Sequence, residues 1–214
     1  MARPGTASSV RSHGAGPQGD TRAALVSAAV AALREDGFGR ASARNIAARA
    51  GCNQALVFYH FGSVADLLLA ALDEVSAQRL DQYRDAVAEG TSIDELVPVA
   101  ARIFREDLDK GYVTVLAEMI GGASSTPGLG PEVAKRIRPW RQFARDALDD
   151  AMQASGLDGV IPGESVAHAV VALYLGLELL ANLDGDRKPA LALFKDAEKL
   201  AGVLRAFSPT GGST

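Results

Sequence analysis

The sequence predicts an all-α protein of about nine helices, and three observations carry that prediction. From Asp20 onward apolar residues recur at spacings of three and four, the breaks between such runs are helix caps and glycine stops, and no alternating strand-like run occurs. With 48% of its 214 residues hydrophobic and 22% charged, the chain has enough apolar material for a core, which excludes wholesale disorder.

Residues 1–19 are Gly-, Ser-, Pro- and Ala-rich with scattered Arg and no period, and read as a disordered tail. Its Arg3 and Arg11 are of the kind that basic arms place in a DNA minor groove. Asp20 or Thr21 then caps a helix with the apolar stripe Leu25, Ala28, Ala29, Ala32 and Leu33, ended by Gly37. Ser42 caps a short helix with Ile46, Ala47 and Ala50 inward, stopped by Gly51, and Asn53 caps another over Gln54–His60. Ser63 to Asp66 opens like a capping box, with Asp for the usual Glu, into a long helix ending at Gly90.

Ser92 and Glu95 form a full capping box for a helix to Lys110–Gly111, which Pro98 in its second turn should kink. Tyr112–Ala123 is an apolar helix with one internal acid, Glu118, and the run GGASSTPGLGP is a loop. Glu132–Ser155 is amphipathic and carries the lone Trp140. Gly163–Asp184 is apolar on nearly every side and needs partners. After the turn DGDRKP, Ala190–Phe207 is the last helix. The organisation expected is a tail over 1–19, a DNA-binding domain over 20–66, a helical ligand-binding and dimerisation domain over 67–208, and a frayed end over 209–214.

One Cys, Cys52, excludes a disulfide framework and a multi-cysteine zinc site. The amino-terminal stretch lacks the apolar core of a secretory leader, and the most apolar run, Val166–Leu183, carries His168 and Glu178, so no membrane span and a cytoplasmic location are expected. Charge is uneven. Residues 1–61 hold seven arginines against three acids, a net of +4, while the remaining 15 basic and 23 acidic residues give −8. A basic segment on an acidic body fits a polyanion-facing module joined to something else, or uneven surface solvation.

The informative segment is ASARNIAARAGCNQALVFYHFGSVADLLL, over 41–69. Two short helices meet at Gly51-Cys52-Asn53, a glycine for a left-handed turn, a small apolar plug and a cap, which is the specification of a helix-turn-helix over 42–61. With Gly37-Phe38, Ile46-Ala47, the run from Val57 to Phe61, Ser63 and Leu67-Leu68, the segment resembles the TetR family of bacterial transcriptional repressors.

The resemblance implies a homodimer on double-stranded operator DNA, released by a small-molecule effector. It implies contacts from Ser42 to phosphate, Arg44 to a base edge, Gln54, Ala55 and Leu56 as the first turn of the recognition helix, and Tyr59 and His60 to the backbone. It further implies a four-helix dimer seam from Glu164–Asp184 and Ala190–Phe207 with their symmetry mates, which suits the faces Val166, Val170, Leu173, Leu177, Leu180 and Leu191, Phe194, Leu200, Leu204. The chain departs from the family at Phe58, usually Tyr, and at Val64, commonly Lys. These departures leave open an alternative, a helical small-molecule-binding protein whose amino-terminal module no longer reads DNA.

In the body, Phe104, Tyr112, Glu118, Trp140, Phe143, His168 and Tyr174 are the candidates to line an effector cavity, with ordinary core packing the competing reading for each. Almost no Arg or Lys is expected inside it, so the effector should be mainly apolar or aromatic. Glu164 and His168 share a helical face but have no second pair to complete a metal site, and no nucleophile elbow, phosphate loop or dinucleotide fingerprint occurs. No catalytic residue, metal or cofactor is therefore expected.

Overall fold

The computed structural model describes residues 17–87, 91–156 and 162–207, and among them the chain forms nine α-helices and one short 3-10 turn, with no strand. They are α1 (Pro17–Glu35), the turn Phe38–Arg40, α2 (Ala43–Arg49), α3 (Ala55–Phe61), α4 (Val64–Ala86), α5 (Ile93–Lys110), α6 (Tyr112–Ala123), α7 (Leu129–Ala154), α8 (Gly163–Asp184) and α9 (Lys188–Phe207).

Most expected caps are present. Ser42 Oγ accepts from Asn45 N, Asn53 Oδ1 from Ala55 N at 2.8 Å, and Ser63 Oγ from Asp66 N at 3.0 Å. Ser92 and Glu95 close a reciprocal capping box, and α5 runs on through Pro98 as one helix. Gly51 has the left-handed backbone that the turn between α2 and α3 requires, with φ +67°.

Three helices begin earlier than the sequence pattern indicates. The last residues of the expected tail belong to α1, because Pro17 has no N–H to satisfy and suits a first helical turn. Leu129–Pro131 belongs to α7 rather than to a loop, since Pro131 falls in the first turn, where amides have no intrahelical acceptor. α9 starts at Lys188, whose N–H is taken by Asp186 Oδ1 at 2.9 Å. The tail through residue 16, the expected helix end at Gly90 and the expected frayed end at 209–214 lie outside the described residues.

One core crosses the expected domain boundary at residue 66. Leu25, Leu33, Ile46, Val57 and Leu67 are fully buried, and the same cluster continues through Leu72 and Val75 of α4, Val115 and Met119 of α6, and Val133 of α7. A second core joins α5, α8 and α9 through Phe104, Leu108, Ala181 and Ala190.

α6 clasps the amino-terminal helices at its far end. Glu118 Oε2 accepts the Phe38 N–H at 2.7 Å, and the Phe38 ring lies so close on Gly122 that a Cβ there would sit 2.4 Å from it. Gly122→Ala should therefore lower stability by ~1–3 kcal/mol through overpacking, read as an earlier midpoint in urea unfolding. An unchanged midpoint would mean that Phe38 has another place to lie.

Candidate functional site

The outer edge of α2 and α3 presents side chains that packing does not need. Arg44, Gln54 and Ala55 are exposed, and Tyr59, 70% exposed, stands edge-on to His60 at 5.0 Å between ring centroids. Ser42 is exposed and keeps its O–H to donate while its oxygen caps α2. Leu56, in the expected first turn of the recognition helix, is half-buried against the core of the module. Phe58 is exposed beside Tyr59, and Val64 is half-buried at the start of α4.

Part of the positive charge counted in the sequence is spent internally. Arg49 bridges Glu35 at 2.6 Å and Asp36 at 2.8 Å, tying α2 to the end of α1. Arg22 lies over the Phe61 ring at 5.0 Å. Among the described residues no ion pair engages Arg40 or Arg44, so these two carry the field of this face outward.

In the body, α4 to α8 surround a largely apolar cavity of about 160 Å³. A cavity of ~150 Å³ holds a benzene ring, so this one has room for a small ring-bearing molecule. Tyr112, Trp140, Phe143 and Tyr174 line it as the sequence suggests, together with Val75, Arg79, Tyr83, Ile103 and Leu116.

The other three candidates are elsewhere. Glu118 and His168 lie six residues from Tyr112 and Tyr174, which puts each about 240° round its helix from the cavity wall. Glu118 is engaged by Phe38, and His168 is exposed in a separate groove with Arg138, Arg141 and Arg145. Phe104 is fully buried in the second core, edge-on to Tyr174 at 5.4 Å and 5.0 Å from Phe194.

The expectation of an interior almost without Arg fails at Arg79. Its Nε donates to Asp107 Oδ1 at 3.2 Å and its Nη2 to Asp107 Oδ2, while the hydroxyls of Tyr83 and Tyr174 both donate to that same Oδ2, the latter at 2.5 Å. Trp140, Tyr112 and Tyr83 surround the guanidinium, at 4.9, 5.4 and 5.6 Å from its carbon. Burial pushes both phenols above their ordinary pKa, so they stay neutral donors.

Glu178, one turn beyond Tyr174, is 0% exposed and neither carboxylate oxygen has a hydrogen-bond partner. Burial first, and the nearby Asp107 second, push its pKa up to about 8. The sequence held a signal for the pair, since Arg79 falls on the stripe Leu72, Val75, Tyr83 and Asp107 on the stripe Ile103, Phe104, Leu108. A charge on an apolar stripe marks a buried partner, although not which one.

Residues 25–71 match the family model described as "Bacterial regulatory proteins, tetR family". An HTH-type transcriptional regulator of Mycobacterium bovis is 32% identical over 104 residues, 49% of this chain and 53% of that protein, so the chain spans about half the length of the curated relatives it matches. Among solved structures, a TetR-family transcriptional regulator from Rhodococcus sp. superposes with a TM-score of 0.70 at 20% identity, over 85% of this chain and 98% of that one. The transcriptional regulator FadR from Bacillus subtilis, in complex with stearoyl-CoA, superposes with a TM-score of 0.69 at 15% identity, over 84% and 96%. At these identities the likeness is one of fold.

Proposed function

Because the chain belongs to the tetR family of bacterial regulatory proteins, we propose that it is a homodimeric, DNA-binding transcriptional regulator of the cytoplasm, a repressor released from a pseudo-palindromic operator by a small, mainly apolar effector. The observation that carries this reading is a single helix, α4. Its first turns pack under α3, and its later residues Val75, Arg79 and Tyr83 line the cavity. A ligand that favours a different setting of α4 would move both recognition helices off their ~34–36 Å groove spacing and shift the population away from the DNA-competent form. The Bacillus subtilis neighbour holds stearoyl-CoA, an apolar acyl chain on a charged head group, which supports a small-molecule effector for this architecture.

DNA reading is assigned to Arg44 and Gln54, with Ala55 beside them, and backbone contacts to Ser42, Tyr59 and His60. Arg44→Ala should weaken binding by ~1–3 kcal/mol and relax preference at one base pair per half-site. Fluorescence anisotropy on duplex from the chain's own upstream region measures this, and unchanged affinity and preference would remove Arg44 from base reading.

The dimer is assigned to α8 and α9. Leu173, Leu180, Leu183 and Leu200 are exposed, Leu183 by 73%, whereas Leu177, Leu191 and Phe194 turn into the chain's own second core. By length and composition α8 is apolar enough to cross a membrane. Its buried Glu178 and the neighbouring exposed leucines of α9 favour a second copy as the cover instead. Light scattering should report twice 22.2 kDa for the chain and a shift to 22.2 kDa for Leu180→Asp. A soluble wild-type monomer would contradict the assignment.

A further inference from the structure

The wall of the cavity offers donors and lacks strong acceptors. Among the described residues that line it there is no carboxylate, amide or imidazole, and its polar groups are the Arg79 guanidinium, the Trp140 indole and the hydroxyls of Ser76, Tyr83, Tyr112 and Tyr174. Asp107, 2% exposed, stands behind this wall, where it receives Nε and Nη2 of Arg79 and the hydroxyl protons of Tyr83 and Tyr174. Those bonds occupy one side of the planar guanidinium. Nη1, at the opposite corner, has no hydrogen-bond partner among the described residues and is not sealed in the interior. The space that Arg79 borders is the cavity, so Nη1 is a charged donor open to whatever fills it. The rings of Trp140, Tyr112 and Tyr83, 4.9–5.6 Å from the guanidinium carbon, hold that donor in place.

We propose that the cavity takes an uncharged aromatic molecule with one carbonyl oxygen, the oxygen accepting from Arg79 Nη1 and the ring held among Trp140, Tyr112 and Phe143. This rests on the reading of the cavity as the effector site. Charge decides between the possible head groups. Asp107 already neutralises Arg79, so a carboxylate would gain no free counter-charge while giving up its hydration among Leu72, Leu116 and Ile137. An ammonium would meet the like charge of the guanidinium and find only hydroxyl oxygens to accept its protons. A carbonyl brings no charge to desolvate and supplies the acceptor that the wall lacks, and a hydrogen bond from a charged donor is roughly twice as strong as one between neutral groups.

The test is isothermal titration calorimetry of the full-length chain with acetophenone, isopropylbenzene, benzoate and 1-phenylethylamine. These share a ring and a substituent carbon bearing two further heavy atoms, and differ in the chemistry of that head. Acetophenone should bind ~10-fold tighter than isopropylbenzene, against the order of transfer out of water, which favours the hydrocarbon. The acid and the amine, both charged at pH ~7, should bind ~10-fold or more weaker than the ketone. In Arg79→Met/Asp107→Leu, with folding checked by circular dichroism, the ketone should fall below the hydrocarbon. Tightest binding of the hydrocarbon, the acid or the amine, or no binding by any of the four, overturns the proposal, whatever the double variant does. A ketone preference that the folded double variant retains overturns it as well. DNA release is measured in parallel. Selective ketone binding without release would sustain the ligand class and refute the effector reading, whereas release by one of the other three without a ketone preference would do the reverse.

Discussion

Asp107→Ala is expected to be among the most destabilising single substitutions in the protein. It removes the partner of Arg79, whose side chain is 7% exposed, and leaves a guanidinium buried without a counter-charge. It also strips the acceptor from the hydroxyls of Tyr83 and Tyr174. Breaking a buried pair from one side amounts to ~3–5 kcal/mol, whereas replacing both partners by apolar groups is often neutral. Urea unfolding at fixed protein concentration should show that loss for Asp107→Ala and recover most of it in Arg79→Met/Asp107→Leu. A single variant within ~1 kcal/mol of the wild type would mean that the pair is open to water.

Glu178 should give stability an inverted pH dependence. Burial pushes its carboxyl up to about 8 in the fold, against an ordinary 4.5 in the unfolded chain, so between these values the unfolded state binds fewer protons. The contribution of Glu178 to stability is therefore full below pH ~4.5, falls as the pH rises, and levels off above pH ~8, a total of a few kcal/mol at ~1.4 kcal/mol per pH unit. Glu178→Gln should flatten that slope and exceed the wild type in stability at pH ~8. Equal slopes in the two proteins would mean that Glu178 is hydrated or paired in solution.

What could be read in the sequence was what local chemistry decides. Gly51 and Asn53 make the turn between α2 and α3, and Ser63 and Ser92 start helices, because each acts on residues two to four positions away. The aromatic walls of the cavity were legible as well, since Tyr112, Trp140, Phe143 and Tyr174 are large rings on helices with one buried face. The direction of a polar residue on an apolar helix was not. Glu118 and His168 look like cavity groups until the neighbours of α6 and α8 are known, and only packing decides which side of each helix is inside. The pairing of Arg79 with Asp107 joins residues 28 apart on different helices, so no local pattern could specify it.

The central claim, that α2 and α3 read DNA as a symmetric pair, is tested most directly by selection from a random double-stranded library with the purified chain. The account predicts enrichment of a pseudo-palindrome with half-site centres ~10 base pairs apart or a multiple of that, and loss of preference at one position per half-site with Arg44→Ala. No enrichment over random duplex, or an enriched site without two-fold symmetry, would contradict it.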